Sequence, residues 1–152
     1  MPKVFISYRR EDTTGAAVAV RLYEYLVKRF RKKDVFMDID TIKGGEEFDE
    51  LIKERLRECD AMIAVIGEQW LKVTDHQGKR RLDNPKDWVR LEIATALRRG
   101  IPVIPTCVYG APIPQSKDLP NPLKKLARKQ CRAMLRLIAK AVGKNKKIQL
   151  SG

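Results

Sequence analysis

Several residue types and signatures are scarce in this chain of 152 residues. There is one histidine, His76, and it lies in a polar stretch, Thr74-Asp75-His76-Gln77-Gly78-Lys79. A cysteine/histidine nucleophile would need that residue, which argues against thiol catalysis. The three cysteines, Cys59, Cys107 and Cys131, are scattered, odd in number and without metal-ligand spacing. They fit a reduced, cytoplasmic setting best, and no metal is expected. No run approaches the ~18 apolar residues of a membrane span. The chain enters a strand-like segment at Lys3-Val4-Phe5-Ile6-Ser7, so no signal peptide is expected. A GxGxxG fingerprint and a Walker loop are both absent, which excludes the ordinary Rossmann and P-loop phosphate sites.

Acidic residues are missing from one region only. From Leu123 to Gly152 there are ten Lys or Arg and no Asp or Glu, against a net charge of +13 for the whole chain. Residues 1–122 therefore carry only +3. The positive charge belongs to a tail, read as a solvated helix face with a frayed end. Nucleic acid is expected to bind it weakly and non-specifically if at all, because no recognition motif or aromatic row accompanies the charge.

What is present is an alternation of short apolar runs with longer amphipathic ones. With a hydrophobic fraction of 43%, this predicts one α/β domain with a parallel sheet. Strands are expected at Lys3–Ser7, Val35–Met37, Ala61–Ile66 and Ile101–Val108. Ala61–Ile66 is wholly apolar and reads as a central strand buried on both faces. Pro102 and Pro105 suggest that the fourth strand lies towards an edge or is irregular. Helices are expected from Thr14 to Arg31, around Phe48–Leu56, from Trp88 to Arg99 before Gly100, and from Leu123 to Val142.

In an open α/β sheet, ligands sit beyond the carboxyl ends of the strands, where strand order reverses. Three polar segments follow strands: Ser7 to Asp12, Asp38 to Glu47, and the helix start Trp88–Glu92 after a long connection. A strand order 2-1-3-4-5 brings them to one end of the sheet. The pieces suit a dinucleotide. Arg9 and Arg10 can pair with pyrophosphate oxygens. Tyr8 and Trp88 offer aromatic faces. Gly44-Gly45 admits close backbone approach. Trp88 and Glu92, four apart, share a helix face, and Glu92 can steady positive charge on a ribose. Each piece alone has a plainer reading as surface charge, turn or core anchor.

Val4-Phe5-Ile6-Ser7-Tyr8-Arg9-Arg10 resembles the opening motif of Toll/interleukin-1 receptor (TIR) domains. Val35-Phe36-Met37-Asp38 and the Gly-Gly loop resemble their second strand and BB loop, and Cys59–Ile66 their third strand. Asp87-Trp88-Val89-Arg90-Leu91-Glu92-Ile93 is similar to the Trp-x-x-x-Glu segment of NAD-cleaving TIR domains, bacterial ones included. Gly100–Pro105 fits the strand after it.

The resemblance covers about residues 3 to 126 and implies a flavodoxin-like TIR fold. Residues 1–128 are assigned to that domain and 129–152 to a basic C-terminal helix or tail. The tail is atypical for the family, since Gln130–Leu137 has helix periodicity and no acid where a fifth strand belongs. The resemblance further implies cleavage of the nicotinamide–ribose bond of NAD⁺, giving nicotinamide and ADP-ribose or a cyclic isomer. NAD⁺ is then a substrate, and no cofactor is expected. By position, Glu92 is the catalytic glutamate. Tyr8, Arg9, Arg10, Asp38, Ile42, Gly45, Phe48 and Trp88 are the substrate-binding residues. Self-association through the BB loop, a fused or partner sensor or effector, and a role in defence or cell-death signalling follow from the same likeness. The alternative is a non-catalytic TIR adaptor that works through BB-loop contacts; the Trp88/Glu92 pair speaks for the enzyme. A response-regulator-like domain of the same topology would want an acidic cluster where this chain has Arg9-Arg10.

Overall fold

A computed structural model describes residues 2–37, 47–108, 110–112 and 114–128. Four strands, β1 (Val4–Ser7), β2 (Val35–Met37), β3 (Ala61–Ile66) and β4 (Val103–Cys107), form a parallel sheet in the order β2-β1-β3-β4. Val4 stands beside Val35 on one side and Ala61 on the other, and Ala64 beside Pro105. Strand order reverses at β1, as the sequence predicts. The place of a fifth strand falls outside the described residues.

The helices are α1 (Thr13–Val27), α2 (Glu47–Arg57) and α3 (Trp88–Arg98). Strand alternation sends odd and even positions of β1 to opposite faces. Phe5 joins Met62, Ala64 and Ile66 beneath Ile52 and Leu56 of α2 and Ile93 and Ala96 of α3. Val4 and Ile6 join Ile63, Val65 and Ile104 beneath Ala19 and Leu26 of α1. Covered from both sides and flanked by two strands, β3 is fully buried along its length. Pro105 lacks an N–H for the ladder, which suits β4 as the last of the described strands.

Several expected boundaries move, most by one residue and three by more or in kind. The first helix ends at Val27 rather than Arg31. Phe30 still packs on the core, after a turn in which Leu26 O accepts from both Arg29 and Phe30 N–H. The apolar period therefore runs past the helix that it marks. The fourth strand begins at Val103 rather than Ile101. Asn121–Arg128 is a 3₁₀ helix that buries Leu123 and Leu126. That i, i+3 spacing stacks both side chains on one side of a three-residue turn. The remainder of the expected last helix lies outside the described residues.

The C-terminus of α3 follows from Gly100. Its φ of 74° is left-handed, and it donates to Leu97 O at 3.2 Å while Ile101 donates to Ala96 O at 3.0 Å. This paired closure satisfies two end carbonyls and favours glycine. Cys59 is a buried free thiol. Among the described residues, no helix is long and apolar enough to cross a membrane.

Candidate functional site

Asp87 starts α3. Its carboxylate accepts from the Arg90 N–H at 3.0 Å, satisfying one of the free amides that open a helix. One and a half turns later comes Glu92, only 3% exposed. The Ser7 hydroxyl, at the end of β1, donates to Glu92 Oε1 at 3.0 Å. Ser7 shares the odd face of β1 with Phe5, which is the face that α3 covers. Glu92 thus lies at the carboxyl end of β1, beside the point where strand order reverses, as the topological argument requires.

The chain continues from Ser7 into a loop that reaches α3 again. Arg9 is 2% exposed, and its two terminal nitrogens meet both oxygens of Asp87 at 3.0 and 2.7 Å. A planar guanidinium on a carboxylate in this double contact fixes orientation as well as distance. The expectation that Arg9 reaches pyrophosphate meets a side chain buried in an ion pair. Its neighbour Arg10 is exposed. Tyr8 is half-buried and packs on the α1 side of the sheet, away from the face that carries Ser7. Trp88 is half-buried and packs against the cluster under α3, so it is partly a core residue.

Asp38, Ile42 and Gly45 lie outside the described residues, as does the side chain of Phe48 in the first turn of α2. Ser7, Arg9, Asp87, Trp88 and Glu92 are therefore the part of the site that the structure brings together.

Sequence reasoning missed a second clamp. Asp12 is fully buried and accepts from Gly67 N–H at 2.7 Å and Gln69 N–H at 2.9 Å, just after β3. Thr14 Oγ1 accepts from Glu68 N–H at 2.9 Å. A Cβ on Gly15 would stand 2.3 Å from Asp12 Oδ2, and one on Gly67 would stand 2.4 Å from the Gly15 nitrogen. Two glycines thus let the start of α1 close on the β3–α3 connection. The signal available was Asp12 directly before a helix and Gly67 directly after a buried strand.

The long connection from Gly67 to Lys86 is ordered by its own polar groups. Asp75 accepts from Gln77 and Lys79 N–H at 2.8 and 3.0 Å, and these bonds hold its carboxyl below the usual range. The Arg80 guanidinium does the same for Asp83. Arg81 reaches Glu11 of the first loop at 3.0 Å. Cys59 precedes β3 at the opposite edge of the sheet, and burial pushes its thiol up to about 12. His76 is exposed in the connection, so no cysteine/histidine pair forms between them.

A family model described as TIR domain matches residues 4–139. The chain belongs to the TIR domain family. The match extends past Arg128 into the basic segment. This TIR domain is 32% identical over 126 residues to the NAD(+) hydrolase SARM1 of Danio rerio, covering 81% of this chain and 16% of that protein. It is 26% identical over 124 residues to the NAD(+) hydrolase sarm1 of Drosophila melanogaster, covering 82% of this chain and 8% of that protein. The chain spans less than a fifth of the length of either relative.

Proposed function

We propose that this TIR domain cleaves the nicotinamide–ribose bond of NAD⁺, with Glu92 as the catalytic carboxylate. The observation that carries the reading is a buried glutamate, fixed by Ser7 at the carboxyl edge of the sheet, beside the order reversal. The similarity to proteins named NAD(+) hydrolases supports it.

The chemistry asks little of the protein. Glycosidases usually need two carboxylates because the leaving oxygen must be protonated. Here the C1′–N bond breaks with both electrons going to a pyridinium, which leaves as neutral nicotinamide. No acid is required. One fixed carboxylate can stabilise the oxocarbenium-like ribose that remains. Water then adds at C1′ and loses a proton to give ADP-ribose, or a nucleophile of the same molecule closes a cyclic isomer.

In this proposal Trp88 flanks the nicotinamide ribose and Arg10 supplies exposed positive charge. Tyr8, Asp38, Ile42, Gly45 and Phe48 complete the substrate set on the strength of family likeness. Assembly through the BB loop and a role in defence or cell-death signalling complete the reading.

The test is incubation of purified protein with NAD⁺ at high protein concentration, with products separated by chromatography. Nicotinamide release that disappears in Glu92→Gln is the expected result. No release from the wild-type protein at any concentration would leave the adaptor as the better account.

A further inference from the structure

We infer that Arg9 is a positioning residue that acts through Asp87, and that of the adjacent arginines only Arg10 is placed to meet substrate. This rests on the NAD⁺-cleaving reading for its kinetic consequences, but not for its structural ones.

Ser7 ends β1 and Arg9 stands in the loop that follows, and both reach the same helix. Ser7 holds Glu92 and Arg9 holds Asp87. Asp87 is the cap of α3, and its Oδ2 accepts both from Arg9 and from the Arg90 amide. The Arg90 guanidinium in turn donates to Leu82 O at 3.1 Å. Fixing Asp87 therefore fixes the first turn of the helix on which Trp88 and Glu92 stand.

With 2% exposure Arg9 presents almost no surface to solvent. Taking it to a phosphate would strand the Asp87 carboxylate, itself 7% exposed. A buried charge that loses its partner is strongly disfavoured. Arg10 is exposed, so its side chain can be reached from solvent.

The test uses Arg9→Lys, Arg9→Gln, Asp87→Asn and the double variant Arg9→Gln/Asp87→Asn in the full chain. Lys keeps the charge and loses the double contact. Asn keeps a cap and loses the charge. The double variant removes both charges and guards against a single variant that fails to fold, since neutralising both partners of a buried pair is tolerated far better than removing one.

Misplacing a catalytic group by about 1 Å costs on the order of 100-fold in rate. We expect kcat to fall by about 10- to 100-fold in Arg9→Lys and Asp87→Asn with KM held. The double variant should lose no more than Asp87→Asn alone. Amide exchange in residues 88–92 should rise in all three single variants. A raised KM with kcat retained in Arg9→Lys, or multiplicative losses in the double variant, would overturn the inference. Should the wild-type protein release no nicotinamide, the catalytic reading fails. The exchange measurement then decides the positioning claim alone, and unchanged protection of residues 88–92 in Arg9→Lys contradicts it.

Discussion

At the amino-terminal ends of the strands, Lys3 meets Glu58 with side chains 30% and 65% exposed, while Asp60 accepts from the Lys3 amide. Arg31, paired there with the buried Asp34, is itself 53% exposed. At the carboxyl ends Arg9 meets Asp87 at 2% and 7% exposure, Ser7 meets a buried Glu92, and Asp12 is sealed against backbone amides. At the first edge each of these pairs keeps at least one partner in contact with water, even where Asp34 is buried. The other takes charge out of water and must then satisfy it internally. Exposed pairs contribute little to stability, whereas a buried pair is costly to break and gives fixed geometry in return. The difference shows where the molecule holds polar groups in one arrangement.

The sharpest way to break this comparison is to remove a partner at each edge. Asp87→Ala strands the Arg9 charge and deletes the α3 cap. We expect a loss of about 3–5 kcal/mol from the first and about 1 kcal/mol from the second, read by denaturant unfolding. Lys3→Ala should leave the unfolding midpoint unchanged. Equal effects at both edges would remove the distinction.

Asp12→Ala should cost roughly 1–3 kcal/mol for each buried amide left without an acceptor, at Gly67 and at Gln69. Gly67→Ala should cost about 1–3 kcal/mol by forcing the start of α1 away from the connection. A stable Gly67→Ala protein with unshifted thermal unfolding would mean that this approach is looser than it appears in the structure. Smaller still is Gly100→Ala, at about 1–2 kcal/mol for a left-handed residue that acquires a Cβ. That helix end contributes stability and stands far from Glu92 along α3, so nicotinamide release at 25 °C should be retained.

These sizes bear on what was legible beforehand. The strands and the Trp88–Glu92 helix could be read because each rests on local periodicity and a nearby cap or turn, while the parallel order comes from the alternation of strands with helices and from the family resemblance. The partners at the carboxyl edge could not. Ser7 and Glu92 are 85 residues apart, and Arg9 and Asp87 are 78 apart. Nothing local distinguishes an arginine that will be buried from its exposed neighbour. Arg9 and Arg10 look alike until the end of β1 is placed under α3. The overrun of α1 has the same origin, since Phe30 keeps the helical period while packing from a turn. Asp12 reads as an ordinary helix start because its acceptors bond amides on another segment.

The smallest expected effect is at the basic end. Deleting the residues after Val142 should leave NAD⁺ cleavage intact, and any nucleic-acid binding by the full chain should be weak and fall steeply as salt rises. Tight, sequence-selective binding at physiological salt would assign the tail a function of its own. Activity should also rise faster than linearly with protein concentration if the site is completed by a second copy. Gly45→Pro should abolish activity by restricting the BB-loop backbone without unfolding the domain. A strictly linear dependence down to nanomolar protein would show the monomer to be competent.

The most direct measurement compares nicotinamide release and thermal unfolding in wild type and Glu92→Gln. Gln keeps the size of the side chain and an oxygen for the Ser7 hydroxyl, and it removes the negative charge. If the buried carboxylate is held for chemistry, the melting temperature stays within error of wild type while turnover falls by about 10²–10³-fold, the usual effect of losing a preorganised electrostatic contact. Full turnover in Glu92→Gln would contradict the account.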